Sequence, residues 1–389
     1  MNGGLDRLIL FRQQGISLCV EHFGLWGGGM PKAAWLLAHD LRALDIPVSV
    51  TTFHTTDDDI ERARARGVSV RRIWWRWGSR WKWPQRATAI GGLAETVRRG
   101  CPVLVAIGVD QVAAFLLASR FGRRVVVWEC TEASPGVKFV CADAVRRLHR
   151  GLAVLVPSQA VEQNVRNTYG YRGPVVRLPF WIDATEADGM NDGDPAPTND
   201  FVFLGRKDSE KGIDELLQAF AEVVRAHPQA TLTICGTGTD APYAKMAEAL
   251  RIRERVTLTY LPDHSQVGDL IRRTRWLVLP SYHEGYPLTP MEAFARGRPT
   301  IATAVGSVPE MCGGDSAAIL LPPRDVRSLR DAMLQALAED SVTYQQRRIA
   351  ARRCFERISS AQMVRTNLIS AFERIAELVR QAQPASYEA

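Results

Sequence analysis

The sequence lacks the cysteine and histidine patterns of disulfide-bonded and zinc-binding proteins. Its 389 residues include 7 cysteines, an odd number, and none of them forms a Cys-x-x-Cys pair. The 7 histidines are scattered and include no His-Glu-x-x-His motif. These absences predict reduced thiols in a cytoplasmic protein and argue against a disulfide framework or a zinc site.

Long hydrophobic runs are also absent. No apolar stretch approaches the roughly twenty residues that a helix needs to span a bilayer. The opening MNGGLDRLILFRQQ has only a short apolar patch at 8–11 and no signal-peptide core, so we expect a loose N-terminal extension there.

The overall composition is that of a globular protein with an excess of positive charge. Hydrophobic residues make up 46% and charged residues 23%, and the chain is long enough for two domains. The net charge of +7 favours an anionic partner, which could be nucleic acid, a phosphorylated substrate or an acidic lipid surface. We find no helix-turn-helix, zinc or RNA-recognition signature, so we do not expect nucleic acid.

Short β-branched runs alternate with helical patterns along most of the chain, which predicts an α/β fold with mostly parallel sheets. We divide the chain into an N-terminal domain at 1–183, a linker at 184–200 and a C-terminal domain at 201–358. A closing segment at 359–389 is predicted to be a helix that returns to the N-terminal domain, followed by a tail. Strands are predicted at 16–21, 48–53, 68–75, 102–108, 124–129, 152–158, 175–179, 201–206, 230–236, 256–261, 276–281 and 299–306.

Ligands of open parallel sheets bind outside the carboxyl ends of the strands. Two such domains that face each other would form a deep interdomain cleft at these ends, and three motifs are predicted to lie there.

The first motif is GRKDSEKG at 205–212, between a predicted strand and a predicted helix. Gly205 lets a ligand approach the backbone closely, and Arg206 and Lys211 supply two positive charges suited to a diphosphate. A solvated basic turn is the alternative interpretation.

The second motif is SYHEGYPLTPMEAFARGRP at 281–299. The pattern predicts a helix with Thr289 as its N-cap, Pro290 at its first position and Gly297 past its end. The free backbone N–H groups at its start would form an anion site.

Two acidic residues of this motif could accept hydrogen bonds from sugar hydroxyls. Glu284 stands in the loop before the helix, and Glu292 is predicted in the first helical turn. Glu292 could instead form a capping box with Thr289, and Glu284 could be a solvated loop acid.

The third motif is LWGGGMPKAAW at 25–35, in which three glycines precede a helix that Pro31 is predicted to open. Such a loop lets the backbone lie against a ligand, although a flexible turn is the alternative. Its spacing does not match the dinucleotide fingerprint, which argues against a nicotinamide-dependent oxidoreductase.

These motifs together resemble the retaining glycosyltransferases of family 4, which are group 1 glycosyl transferases with the GT-B fold of two facing Rossmann-like domains. The resemblance covers most of residues 16–380 and is strongest in FVFLGRKDSEKGIDELLQAF and PSYHEGYPLTPMEAFARGRPTIATAVGSVPEM. The second stretch contains the family signature of two glutamates, Glu284 and Glu292, separated by seven residues.

The resemblance implies a role for each motif residue. Arg206 and Lys211 would contact the donor pyrophosphate, Glu284 would face the transferred sugar, and Glu292 would bind the ribose hydroxyls. The other residues implied in donor binding are Gly27, Gly28, Gly29, Gly205, Gly285, Tyr286, Pro287, Leu288 and Thr289.

The implied reaction is transfer of a hexose from a nucleotide sugar to a saccharide or lipid-linked acceptor, with retention of configuration. No metal and no cofactor are implied, since the basic residues and the helix dipole would stabilise the leaving group. A UDP-sugar is favoured over a GDP-sugar as donor, and a role in cell-envelope polysaccharide or glycoconjugate synthesis is implied.

One departure from the family concerns a histidine that many members carry near the donor sugar in the first domain. The corresponding strand ends read AIGVDQ at 106–111 and WECTEAS at 128–134, without a histidine. Asp110 or Glu129 could replace it, although either could be a helix cap or a strand-end acid. A binding or scaffold subunit without turnover is therefore the alternative to an active enzyme.

The segment RRIWWRWGSRWKWPQR at 71–86 holds five of the 10 tryptophans among six basic residues. Trp favours the bilayer interface and Lys or Arg favour anionic headgroups, which suggests peripheral contact with the inner face of a membrane. Stacking on a saccharide acceptor and packing within the domain are the alternatives. The residues in question are Trp74, Trp75, Arg76, Trp77, Arg80, Trp81, Lys82 and Trp83.

Overall fold

The computed structural model describes residues 8–24, 29–72, 103–107, 124–130, 151–168, 170–183, 199–261 and 264–382. The chain divides into two compact units. The N-terminal unit comprises residues 1–180 and 364–389, and the C-terminal unit comprises residues 181–363.

The N-terminal unit is built on a parallel sheet with the strand order β3-β2-β1-β4-β5-β6-β7. Strands β4 and β6 are buried along their whole length, which explains their nearly continuous apolar sequence. The strands are β1 (Ile16–His22), β2 (Val48–His54), β3 (Ser69–Arg72), β4 (Val103–Ile107), β5 (Arg124–Trp128), β6 (Ala153–Val156) and β7 (Val175–Arg177).

Helices pack against this sheet, and side-chain caps begin two of them. The hydroxyls of Thr56 and Ser158 accept hydrogen bonds from the backbone N–H groups of Asp59 and Val161. The described helices of this unit are Ile9–Gln14, Gly29–Arg42, Asp57–Ala65, Gln159–Asn167 and most of Ala361–Gln381.

The prediction of a loose N-terminal extension is wrong for residues 8–14. Leu8 and Phe11 are fully buried. The ring of Phe11 meets the ring of Phe372 edge-on at 5.7 Å between centroids. The short apolar patch is therefore part of the core, held by the C-terminal helix of the same unit.

The C-terminal unit has a parallel sheet with the strand order β10-β9-β8-β11-β12-β13. Chain order reverses at β8, which pairs with both β9 and β11, and ligands bind at such switch points. The strands are β8 (Asn199–Leu204), β9 (Leu232–Cys235), β10 (Val256–Thr259), β11 (Thr274–Leu279), β12 (Thr300–Thr303) and β13 (Ala318–Leu321).

Strand β8 begins inside the predicted linker. Asn199 and Asp200 belong to the strand, in which Asn199 pairs with Thr274 of the neighbouring strand. The Asp200 carboxylate accepts the backbone N–H of Thr231 at 3.0 Å, and the Thr231 hydroxyl accepts the N–H of Asp200 at the same distance. Residues 184–198 of the predicted linker lie outside the described residues.

The predicted helix after β8 is confirmed as Ile213–Ala226, and its apolar positions 213, 216, 217, 220 and 223 are buried in the core. The helical part of the chain after residue 325 is interrupted twice, after Ala338 and after Ser359. Asp340 starts a new helix by accepting the N–H of Thr343 at 2.7 Å, and Ser360 is extended. The other described helices of this unit are Ala241–Ala249, His264–Arg272, Leu288–Ala295, Val308–Cys312, Val326–Ala338 and Ser341–Ser359.

No helix within the described ranges combines the length and the hydropathy needed to cross a membrane.

Candidate active site

The first part of the candidate site is formed by the loops that follow β8 and β9. The N–H of Gly205 donates to the carbonyl of Cys235 at 3.1 Å, and the N–H of Lys207 donates to the carbonyl of Thr237 at 2.7 Å. A Cβ on Gly236 would lie 1.8 Å from the carbonyl oxygen of Gly205. Only glycine fits at position 236, and this allows the carboxyl ends of β8 and β9 to lie side by side.

Arg206 extends from this edge into solvent. Its side chain is 71% exposed, and its guanidinium lies 3.1 Å from the carboxylate of Asp208. Exposed ion pairs of this kind contribute only about 0–1 kcal/mol, so Arg206 can exchange this partner for a phosphate at little cost.

Lys211 closes the 3-10 turn Ser209–Lys211, which Asp208 caps. Gly212 follows with φ +67°, and a Cβ there would lie 2.2 Å from the carbonyl oxygen of Pro280. Glycine therefore allows the turn to approach the loop that follows β11. The Lys211 ammonium lies 2.6 Å from the Glu284 carboxylate as a result.

Glu284 is 9% exposed and is held from several directions. The hydroxyl of Ser281, a fully buried residue, donates to the same carboxylate oxygen as Lys211, at 2.7 Å. The hydroxyl of Thr303 donates to the Ser281 carbonyl at 2.6 Å, which fixes the loop in turn. This charged pair is shielded from water and hydrogen-bonded, the condition under which ion pairs have defined geometry.

Gly306 presses against the Glu284 backbone. It has φ +52°, and a Cβ there would lie 1.6 Å from the Glu284 carbonyl oxygen. The loop after β12 thus supports the loop after β11.

Tyr282 ties the Glu284 loop to the helix Ile213–Ala226. Its hydroxyl donates to the Glu215 carboxylate at 2.5 Å, and the Arg324 guanidinium lies 4.4 Å from its ring centroid. Burial and the nearby Glu215 raise the pKa of Tyr282 to about 12, so the hydroxyl stays protonated and keeps donating.

The helix after Glu284 is Leu288–Ala295, with Pro287 as its N-cap. The prediction of Thr289 as N-cap and Pro290 as first residue is wrong, because Pro287 is extended and Thr289 already lies inside the helix. A capping box between Thr289 and Glu292 is excluded for the same reason, and Glu292 lies beyond the first turn. Gly297 does follow the helix end, with φ +61°.

The start of this helix provides backbone donors. No side chain caps it, so the N–H groups of Leu288 and Thr289 point out of its first turn, while Pro290 has none to offer. Pro287 and Tyr286 are buried beside them, and burial raises the pKa of Tyr286. Gly285 accepts the N–H of Ser307 at 3.3 Å through its carbonyl.

Glu292 is buried within the helix. The guanidinium of Arg296, also buried, donates to the Glu292 backbone carbonyl at 3.0 Å. The sequence motif therefore places one glutamate in a loop and the other on a packed helix face.

Few of the sites predicted in the N-terminal unit fall on described residues. Gly29 is the first residue of the helix Gly29–Arg42, which begins before the predicted Pro31. Glu129 directly follows β5, is buried, and accepts the N–H of Cys130 at 3.0 Å. The predicted residues outside the described ranges are Gly27, Gly28, Asp110, Trp74, Trp75, Arg76, Trp77, Arg80, Trp81, Lys82 and Trp83.

Comparison with known proteins agrees with this arrangement. Residues 191–353 match the family model of glycosyl transferases group 1. The predicted resemblance to group 1 glycosyl transferases is confirmed.

Two curated relatives are similar over part of the chain. A glycogen synthase of Mycobacterium tuberculosis is 29% identical over 186 residues, which cover 48% of this chain and 45% of the relative. A D-inositol 3-phosphate glycosyltransferase of Corynebacterium jeikeium is 32% identical over 168 residues, which cover 41% and 40%. The chain thus spans less than half the length of these relatives.

Solved structures share the fold over nearly the whole chain. Sucrose-phosphate synthase from Thermosynechococcus elongatus has a TM-score of 0.78 at 20% identity and covers 93% of this chain and 99% of its own. The Anabaena protein HepE in complex with UDP-glucose has a TM-score of 0.77 at 16% identity, with 92% and 98% covered. The predicted α/β class and GT-B fold are confirmed.

Two contacts of the candidate site, Ser281 with Glu284 and Tyr282 with Glu215, were not predicted from the sequence. Ser281 and Tyr282 stand inside the second motif, and Glu215 lies in the helix Ile213–Ala226. No local sequence pattern predicts the contact of Glu215 with Tyr282, because these residues are 67 positions apart.

Proposed function

We propose that the protein is a glycosyltransferase that moves a sugar from a nucleotide-sugar donor to an acceptor hydroxyl with retention of configuration. The observation that carries the proposal is the shielded contact of Lys211 and Glu284 at the switch between β8 and β11. A cation for the diphosphate and a carboxylate for the sugar are thereby held next to each other.

Lys211, Arg206 and the helix start would bind the donor diphosphate. The ammonium of Lys211 has three donors, so it can keep its bond to Glu284 while it donates to a phosphate oxygen. Arg206 is exposed and weakly paired, and is free to turn toward the ligand. The N–H groups of Leu288 and Thr289 add the positive end of a helix dipole.

Glu284 would orient the transferred sugar, and the backbone of 285–289 would line it. Carboxylates accept hydrogen bonds from hydroxyls, and the contacts of Ser281 and Lys211 fix the direction of this one. Glu292 would bind the ribose hydroxyls, as the resemblance implies, and Gly27 to Gly29 would close on the donor.

The proposed reaction uses the leaving group as base. The acceptor hydroxyl forms the new bond to the anomeric carbon on the face from which the diphosphate departs, and a leaving phosphate oxygen takes the hydroxyl proton. Arg206 and Lys211 stabilise the charge that develops on the diphosphate, so the reaction needs no metal ion.

The proposed donor is a UDP-sugar, since HepE, which shares the fold, binds UDP-glucose. The proposed acceptor is a saccharide or a lipid-linked saccharide. For the Trp- and Arg-rich segment at 71–86 we propose contact with an anionic membrane surface that presents such an acceptor.

The test is nucleoside diphosphate release from UDP-, GDP- and ADP-sugars, followed by NMR of the anomeric proton of the product. Release from a UDP-sugar and an anomeric configuration equal to that of the donor are expected. Donor binding without release from any donor would instead favour the non-catalytic scaffold, and an inverted anomer would contradict the proposed mechanism. Failure to sediment with anionic vesicles at low salt would contradict membrane contact.

A further inference from the structure

The carboxyl ends of β1 and β2 bring together three side chains that can bind a metal ion. His22 and His54 are the last residues of adjacent parallel strands and are paired in register. Glu21 precedes His22 in the chain. Ligand atoms of these three residues all lie within 4.8 Å of one another.

The two imidazoles face each other closely. Their ring centroids are 4.5 Å apart with 23° between the planes, and the Glu21 carboxylate lies 3.8 Å from Nε2 of His22. The side chains of His22 and Glu21 are 50% and 56% exposed, so both are accessible to an ion from solvent.

The backbone beneath the cluster is fixed. The hydroxyl of Thr52, a fully buried residue, lies 3.0 Å from the Glu21 carbonyl oxygen and 3.2 Å from that of His54. The N–H of Phe23 donates to the His54 carbonyl at 2.9 Å. The three side chains therefore extend from a backbone whose position is defined by hydrogen bonds.

We propose that Glu21, His22 and His54 form a binding site for a divalent transition-metal ion of the zinc type. Two imidazoles and one carboxylate are a ligand set of open zinc sites, in which water completes the tetrahedron.

The proposal of a metal site does not rest on the proposed chemistry of Lys211 and Glu284. A bound ion would cross-link the ends of two strands and stabilise the N-terminal unit. The five described cysteines are buried, so they are poor competitors for an ion that enters from solvent.

The test is calorimetric titration of the metal-free protein with Zn²⁺, compared with His22→Gln and His54→Gln. Each substitution should lower the affinity by about ten-fold or more, since even residues behind the ligands are worth 10–100-fold. His227→Gln, an exposed histidine in the other unit, is the matched control and should bind as the wild type does.

Two further readouts keep the result unambiguous. The metal-free variants should melt at the wild-type temperature, since the side chains are exposed, and Zn²⁺ should raise Tm only where both histidines are present. Bound Co²⁺ should show d–d bands without thiolate charge transfer. Unchanged Zn²⁺ affinity in His54→Gln, or a thiolate band, would overturn the proposal.

Discussion

The two sheets share a plan and differ at their carboxyl ends. Each reverses its strand order beside its first strand, at β1 in the N-terminal unit and at β8 in the C-terminal unit. Beyond β8 and β11 lies a shielded, hydrogen-bonded ion pair of Lys211 and Glu284. Beyond β1 and β2 lies an exposed pair of imidazoles, His22 and His54.

The difference lies in how each region is supported. Gly212, Gly236 and Gly306 let neighbouring loops of the C-terminal unit approach to distances that a Cβ would forbid. Charges fixed in this way need little reorganisation when a substrate charge develops, which is how enzymes stabilise transition states. The imidazoles of the N-terminal unit stand on a hydrogen-bonded backbone and are exposed to solvent, an arrangement suited to binding an ion.

The largest effect is expected from Gly306→Ala. Its control is Gly314→Ala, because Gly314 also has positive φ (+75°) but has no atom within 4 Å of a Cβ. In the control, the free energy of unfolding should fall by about 1–2 kcal/mol, because alanine disfavours a left-handed backbone. In Gly306→Ala, the free energy of unfolding should fall by a further ~1–3 kcal/mol, because the new methyl group collides with the Glu284 carbonyl. Equal midpoints in urea unfolding would show that the loops are not packed as described.

The second-largest effect is expected on catalysis, when Lys211 or Arg206 is replaced by alanine. Lys211→Ala should weaken transition-state stabilisation by about 2–4 kcal/mol, and Arg206→Ala by a similar amount, as measured by kcat for sugar transfer. Lys245→Ala, an exposed lysine of the helix Ala241–Ala249, is the control and should leave kcat unchanged. Unchanged turnover in both site variants would refute the phosphate assignment.

A smaller effect is expected from Tyr282→Phe, which removes the hydrogen bond to Glu215. The loss of unfolding free energy should be about 1 kcal/mol, because the pair is only partly buried. The folded-state pKa of about 12 exceeds the ordinary 10.0, so this stabilisation is complete below pH 10 and is lost as the pH rises toward 12. Unfolding curves across this range should fall more steeply for the wild type than for Tyr282→Phe; parallel curves would contradict the assignment.

The smallest effect is that of Arg206→Ala on folding. The side chain is exposed and pairs only with Asp208, so its removal should change the free energy of unfolding by about 0–1 kcal/mol. A loss of activity without a loss of stability would separate this exposed cation from the shielded Lys211. A large drop in the urea midpoint would contradict the exposed placement.

Much of this arrangement could be predicted from the sequence. The runs VLVAI and LTIC lie in predicted strands and are strands, and the helix predicted after GRKDSEKG is present as Ile213–Ala226. Strand β13 was missed, because AILL is a short apolar run that periodicity alone does not assign.

Long-range contacts could not be predicted. Lys211 and Glu284 are 73 positions apart, and their contact depends on the close approach of Gly212 to Pro280, which no local pattern encodes. The burial of Phe11 likewise depends on Phe372 near the other end of the chain. The helix start at Leu288 was not predicted, because Thr289 followed by Pro290 is typical of an N-cap and a first helical residue. In the structure Pro287 is the extended N-cap, so Thr289 lies inside the helix.

The central claim is that Lys211 and Glu284 hold a nucleotide-sugar donor. The most direct test is calorimetric titration of the wild type and Lys211→Ala with UDP-glucose and with the UDP-, GDP- and ADP-forms of other sugars. We predict saturable binding of a UDP-sugar by the wild type and markedly weaker binding by Lys211→Ala, with Lys245→Ala unchanged. Equal donor affinity in the wild type and Lys211→Ala, or no binding of any nucleotide sugar, would contradict the claim.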